Sequence, residues 1–164
     1  MATKSKQLQI RVTPREKSTL KRRAAAAGQD LSSYVLSRAL PRPALEVEEL
    51  IHALERDDEE RRLALAALND LLTGLAPVEL REAIEHIDVG GLCRFLRNYV
   101  AAMVEVAAEA AGVPPPAWTR SVAPLDAPWF AAPFPGLRLH LLKASPVPFK
   151  RRNLFVDASL GARV

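Results

Sequence analysis

Cysteine is almost missing from this chain of 164 residues: Cys93 stands alone, which excludes an intramolecular disulfide. Histidine is nearly as scarce, and His52, His86 and His140 lie far apart in sequence. Neither residue type supplies clustered ligands, so no metal is expected. No glycine-rich phosphate loop is present, and no cofactor is expected. The longest nearly apolar run, residues 99–113, is interrupted by Glu105 and Glu109 and falls short of the roughly 20 apolar residues a bilayer requires. It reads as a soluble helix, and no membrane partner is expected. A charged-then-apolar leader is also missing, which with the scarce cysteine points to a cytoplasmic location.

What is present suits a globular protein: 49% of residues are hydrophobic and 26% charged, enough apolar material for a core. The net charge of +4 conceals three regions of different sign. Residues 1–43 carry ten Lys/Arg against two acidic residues, a net +8; residues 44–112 carry six against fifteen, a net −9; residues 113–164 carry seven against two, a net +5. A basic head followed by an acidic middle implies a polyanionic partner that meets the head alone.

The head has a structural pattern to match. Gln7-Leu8-Gln9-Ile10-Arg11-Val12-Thr13 alternates polar and apolar residues, the period of a strand with one dry and one wet face. Thr13-Pro14-Arg15-Glu16 then reads as a capping box with proline at the first helical position. Leu20, Ala24 and Ala27 recur at helical spacing, and Gly28 ends the helix. Asp30 is placed to cap a second helix whose apolar face is Leu31, Tyr34, Val35 and Ala39, with Pro41 ending it. One strand and two short helices bury too little surface to stand alone, and an isolated strand leaves both edges unpaired. Pairing two copies of the strand as an antiparallel ribbon answers both problems. A homodimer is therefore expected, with Leu8, Ile10, Val12, Leu20, Tyr34 and Val35 in its core.

The run QLQIRVTPREKSTLKRRAAAAGQDLSSYVLSRAL resembles the ribbon-helix-helix repressors, the group that includes the Arc and MetJ repressors and many bacterial antitoxins. The resemblance covers about a fifth of the chain and rests on alternation, capping box, glycine turn and second cap occurring in the right order. It implies that the outward strand residues Gln7, Gln9 and Arg11 enter the major groove of operator DNA. Arginine can donate two bonds to guanine and glutamine can pair with adenine, so the residue types suit that role. It also implies a phosphate held by the amides of Leu31 and Ser32 at the start of the second helix, although the carboxylate of Asp30 there would repel an anion. Lys4 and Lys6, with Arg15, Lys17, Lys21, Arg22 and Arg23 on the first helix, are candidates for phosphate contacts that position without reading sequence.

The middle reads as helical. One long helix is expected over residues 44–73, interrupted on its apolar stripe by the charge cluster at 57–62, then a shorter helix over 77–87 and a longer one over 92–111. Gly112 and the prolines at 114–116 end helical structure. The spacing of Arg81 and His86 resembles the catalytic pair of the all-helical HEPN-type ribonucleases, in which arginine would stabilise phosphate charge and histidine move protons. The plainer reading is an exposed ion pair with Glu82 or Glu85. The expectation is that the chain is not an enzyme.

Nine of the thirteen prolines fall between residues 114 and 148, interspersed with both tryptophans. Such a stretch is expected to be irregular and extended. Its aromatic and basic residues Trp118, Trp129, Phe130, Arg138, Phe149, Lys150, Arg151, Arg152 and Phe155 need a surface to cover, either a partner protein or the chain's own helices. The closing run LHLLKASPVPFKRRNLFVDASLGARV loosely resembles the C-terminal block of regulators encoded beside nucleotidyltransferase-type toxins, which implies a cognate toxin as partner.

The resulting expectation is a mainly α protein with one short N-terminal strand. Residues 6–41 form a ribbon-helix-helix dimer head, residues 44–112 a helical bundle or interaction region, and residues 113–164 a Pro-rich irregular tail that binds a partner. Its function would be that of a DNA-binding transcriptional regulator, an antitoxin that represses its own operon. The alternatives are a stand-alone repressor or plasmid-maintenance protein without a toxin, and, more remotely, a ribonuclease using Arg81 and His86.

Overall fold

In the computed structural model, the described residues are 9–39, 42–56, 58–132 and 134–157. The chain divides into two compact units, Met1–Leu40 and Pro41–Val164.

The first unit holds α1 (Pro14–Ala26) and α2 (Leu31–Ala39), which pack against each other. Thr13 starts α1 as its sequence signature requires. Its backbone N–H donates to Glu16 Oε2 at 2.8 Å, and the Glu16 N–H donates back to Thr13 Oγ1 at 3.3 Å, with Pro14 at the first position where no N–H is needed. Gly28 turns the chain with φ +65°, a left-handed conformation that costs a residue without Cβ little. Gln29 N–H then reaches back to Ala24 O at 3.0 Å, satisfying a carbonyl at the end of α1. Asp30 caps α2 through Oδ1, which accepts from Ser32 N at 2.9 Å and Ser33 N at 3.0 Å. Among the described residues of this unit only Ala24 and Tyr34 are buried hydrophobics.

Residues 9–13 form no strand within the single chain. The expected N-terminal strand and the dimeric ribbon are thus not seen here, because the only partner the pattern offers is another copy of the same segment. Lys4, Lys6, Gln7, Leu8 and Pro41 lie outside the described residues.

The second unit is built on α6 (Arg94–Ala111), whose buried side includes Leu96, Tyr99, Val100, Met103, Val104, Ala107 and Ala108. Against it and one another pack α3 (Arg42–Ala53), α4 (Asp58–Gly74) and α5 (Pro77–Ile84). They contribute Val47, Ile51, Leu68, Leu72, Leu80 and Ile84 to one core. The single helix expected over 44–73 is two. Its stripe breaks at the charge cluster, where the Arg61 guanidinium donates to Leu54 O at 3.2 Å and Arg56 O at 2.8 Å. A cation on these carbonyls terminates α3 and lets α4 fold back onto it. The helix expected to reach residue 87 ends at Ile84, and α6 begins at Arg94 rather than 92. Gly112, with φ +67°, closes α6 as a left-handed cap.

The tail departs most from expectation. Rather than being irregular, it contains α7 (Ala117–Ser121), α8 (Pro135–Ala144), α9 (Val147–Lys150) and a two-residue parallel pairing of β1 (Trp129–Phe130) with β2 (Leu154–Phe155). Phe149, Leu154 and Val156 enter the same core as α6. The proline-rich spacing breaks long helices but leaves enough apolar side chains for the segment to cover the helical middle. Asn153 makes the turn into β2 with φ 58° and donates from Nδ2 to Leu125 O at 2.6 Å, a conformation asparagine tolerates well. Arg152, buried beside the core, joins three elements: it pairs with Glu105 of α6 and donates to Thr119 O at 2.8 Å and Val122 O at 3.3 Å. Trp118 Nε1 donates to Ile84 O at 2.9 Å, tying α7 to the end of α5.

Removing the carboxylate in Glu105→Ala leaves the buried Arg152 charge without its counter-ion, and a loss of about 3–5 kcal/mol in urea unfolding is expected. The double change Glu105→Leu with Arg152→Met should cost less than that single one, since no lone charge remains. In α1, the N–H and then the hydroxyl of Thr13 hold the Glu16 carboxyl below its ordinary value of 4.5. A depressed acid stabilises the folded form above its unfolded pKa, so the capping box is fully effective above about pH 4.5 and is lost as pH falls through the lower folded value. NMR titration should show Glu16 titrating low and α1 amide protection falling with it, and Glu16→Gln should flatten that dependence.

Candidate nucleic-acid interface

The capping geometry of the first unit sets where its charge can act. Because α1 begins at Pro14, the side chains of Arg15, Lys17, Lys21, Arg22 and Arg23 all project from one helix, and all are exposed. Glu16 is the single acidic residue of that helix, and its carboxylate is engaged by Thr13. The outward surface of α1 is therefore strongly cationic, as a phosphate-facing surface requires.

Immediately before it, Gln9, Ile10, Arg11 and Val12 are exposed, with Ile10 at 61% and Val12 at 42% of their full surface. Gln9 and Arg11, expected as base readers, are thus open, while Ile10 and Val12, expected in a dimer core, find no cover within one chain. Leu20 and Val35 are half-buried and Tyr34 is buried. These line two shallow grooves. One is formed by Leu20, Arg23, Tyr34, Val35, Arg38 and Ala39, the other by Arg11, Val12, Arg15, Glu16, Thr19 and Leu20. The Arg38 guanidinium lies 5.7 Å from the Tyr34 ring centroid, so an arginine not singled out from the sequence flanks the first groove. Its signal was its position four residues after Tyr34 on α2.

The expected phosphate clamp at Leu31 and Ser32 is modified. The Ser32 amide already donates to Asp30 Oδ1, since a carboxylate one residue before the helix outcompetes a diffusible anion for that donor.

The remaining sequence-derived candidates are scattered over the second unit. Arg81 lies in the last turn of α5 and His86 in the turn beyond its end, so the two do not share a helix as expected. Both are exposed and border an open depression with Pro77, Val78, Glu82, Glu85 and Val113. Phe149, Arg152 and Phe155 are buried and Trp118 is half-buried, so these four expected partner anchors serve the chain's own packing. Lys150 is half-buried and donates from Nζ to Lys143 O at 2.9 Å. Trp129, Arg138 and Arg151 remain exposed, while Phe130, half-buried, stacks on Phe155 at 4.8 Å and carries the Arg138 guanidinium 5.2 Å from its centroid. Among the described residues no group of three or more His, Cys, Asp or Glu could hold a metal ion, and no helix is long and apolar enough to cross a membrane.

No curated protein and no solved structure matches the chain. A family model does: residues 2–76 match the NikA-like family, described as mobilization protein NikA. The match runs from the basic head through the end of α4, a little under half of the chain. This N-terminal part is therefore similar to the NikA-like mobilization proteins, a ribbon-helix-helix family related to the Arc/MetJ type of DNA-binding protein.

Proposed function

We propose that this chain is a homodimeric, non-enzymatic protein of the ribbon-helix-helix class that binds double-stranded DNA, acting in the cytoplasm as a regulator or accessory factor in the handling of mobilizable DNA. The observation that carries the reading is the family match over residues 2–76. The head's chemistry supports it. Ile10 and Val12 are exposed apolar side chains on a segment with unpaired edges, and a second copy of that segment is the simplest cover for both. Pairing the two would turn Gln7, Gln9 and Arg11 of each copy outward as one ribbon sized for the major groove. Lys4, Lys6 and the cations of α1 then lie on the flanking phosphates and supply the sequence-independent part of the affinity. A dimer on its own promoter would also repress it, so autoregulation is part of the same proposal.

Of the alternatives, the one without a toxin is preferred. An antitoxin that wraps a toxin with a free tail would need its aromatic and arginine anchors available, and Phe149, Arg152 and Phe155 are inside the second unit. The ribonuclease reading has two exposed residues on separate elements to support it. Purified protein should leave single-stranded RNA intact, and cleavage that disappears in His86→Ala would reverse that choice.

The DNA reading is tested on sites selected from a random duplex library. Arg11→Ala removes a base contact from each protomer, and at roughly 1–3 kcal/mol apiece it should reduce the preference for the selected site about 30-fold or more while the dimer persists. Lys6→Ala, which removes one phosphate contact from each protomer, should instead weaken binding to all duplexes alike and lower the slope of log affinity against log salt by about two. Ile10→Asp should prevent strand pairing and abolish specific binding. An unchanged site preference in Arg11→Ala, or full binding by a monomeric Ile10→Asp, contradicts the assignment.

A further inference from the structure

Helix α8 touches its own unit through little of its surface: Leu141 is buried and Ala144 half-buried, while Leu137, Leu139 and Leu142 are 47%, 62% and 43% exposed. Successive helical residues turn by about 100°. That rotation sets Arg138, Leu142, Leu139 and Lys143 side by side on the face opposite Leu141 and Ala144. The outward face is therefore a pair of leucines with a cation on either side. Arg138 keeps its exposure although its guanidinium lies over Phe130.

The same unit presents the reverse pattern elsewhere. In α4, Ala64, Leu68 and Leu72 are buried, and the opposite face carries Leu63, 69% exposed, with exposed Ala66 and Ala67. Glu59, Glu60 and Asp70 surround them, and Arg62 lies to one side. Glu60 has an exposed contact with Arg56 at 3.6 Å, which solvent and competing cations can replace. Two small residues beside Leu63 leave room for the larger leucines of α8, and the charges are opposite in sign.

We infer that α8 of one copy docks on α4 of a second copy, Leu139 and Leu142 against Leu63, Ala66 and Ala67, with Arg138 and Lys143 facing Glu59, Glu60 and Asp70. Charge complementarity between two faces of one unit identifies the occupant: a nucleic acid would not cover the leucines, and the acidic α4 face needs a cationic apolar counterpart that α8 supplies. Because the two faces differ, the contact is heterologous; two copies close it by exchanging both faces, and otherwise it extends from copy to copy. One helix-on-helix contact buries less than the roughly 1,200 Å² of a standard stable interface. The association is accordingly weak, salt-sensitive, and separate from pairing of the N-terminal strands.

Sedimentation equilibrium of the full chain, over a series of concentrations and salt, tests the contact. Ile10→Asp, which removes strand pairing, should still self-associate at low salt. The double variant Arg138→Glu with Lys143→Glu should weaken that association about tenfold, and Glu59→Lys with Asp70→Lys should do the same. An equimolar mixture of the two charge-reversed chains should associate again, which a merely structural defect in either would not allow. An Ile10→Asp chain that stays monomeric at every concentration, or charge-reversed chains that fold by circular dichroism yet fail to recombine, would overturn the proposal. So would binding of the chain to phosphatidylserine vesicles, lost with Arg138 and Lys143, in a protein that never self-associates.

Discussion

Forty residues leave the N-terminal unit with Ala24 and Tyr34 as the buried hydrophobics among its described residues, and that shortage governs everything the head does. Caps and a glycine turn can hold two helices in shape, each contributing about 1 kcal/mol, but they cannot replace a core. The apolar residues that would complete one, Ile10 and Val12, stand in water. In the dimer proposed above, a second copy supplies both apolar area and the missing strand edge. In the proposed dimer the same step creates the DNA-reading surface, so stability and recognition arise from one contact.

The second unit has the opposite character. A long, mostly buried α6 collects side chains from α3, α4, α5 and the tail into one cluster. Arg152 reaches Glu105, Thr119 and Val122, and so ties the turn before β2 to α6 and α7. Its Nε has no hydrogen-bond partner among the described residues. The tail's basic and aromatic residues therefore divide into those spent on packing and those left outside, and the second group concentrates around α8.

The elements most legible in sequence are those decided within a few residues. The capping box of Thr13 and Glu16, the left-handed glycines at 28 and 112, and the Asp30 cap each depend on one side chain or one backbone angle next to the group it satisfies. Less legible were features that depend on a distant partner. The charge cluster at 57–62 was visible, but not that Arg61 would turn back to the carbonyls of Leu54 and Arg56 and separate α3 from α4. Proline density suggested an irregular tail, yet short helices and a two-residue pairing fit between the prolines once the helical core was there to pack on. Gln9 and Arg11 are exposed together with Ile10 and Val12, and the Ser32 amide is already engaged by Asp30.

Local order and charge distribution were thus determined by the amino-acid sequence alone, because each follows from spacing or from the chemistry of neighbouring residues. Only the tertiary structure decided which apolar residues of the tail are consumed internally and which remain on the outside of α8. Burial is a property of what lies opposite a side chain in space, and residues such as Glu105 and Arg152, separated by 47 positions, carry no local sign that they will meet.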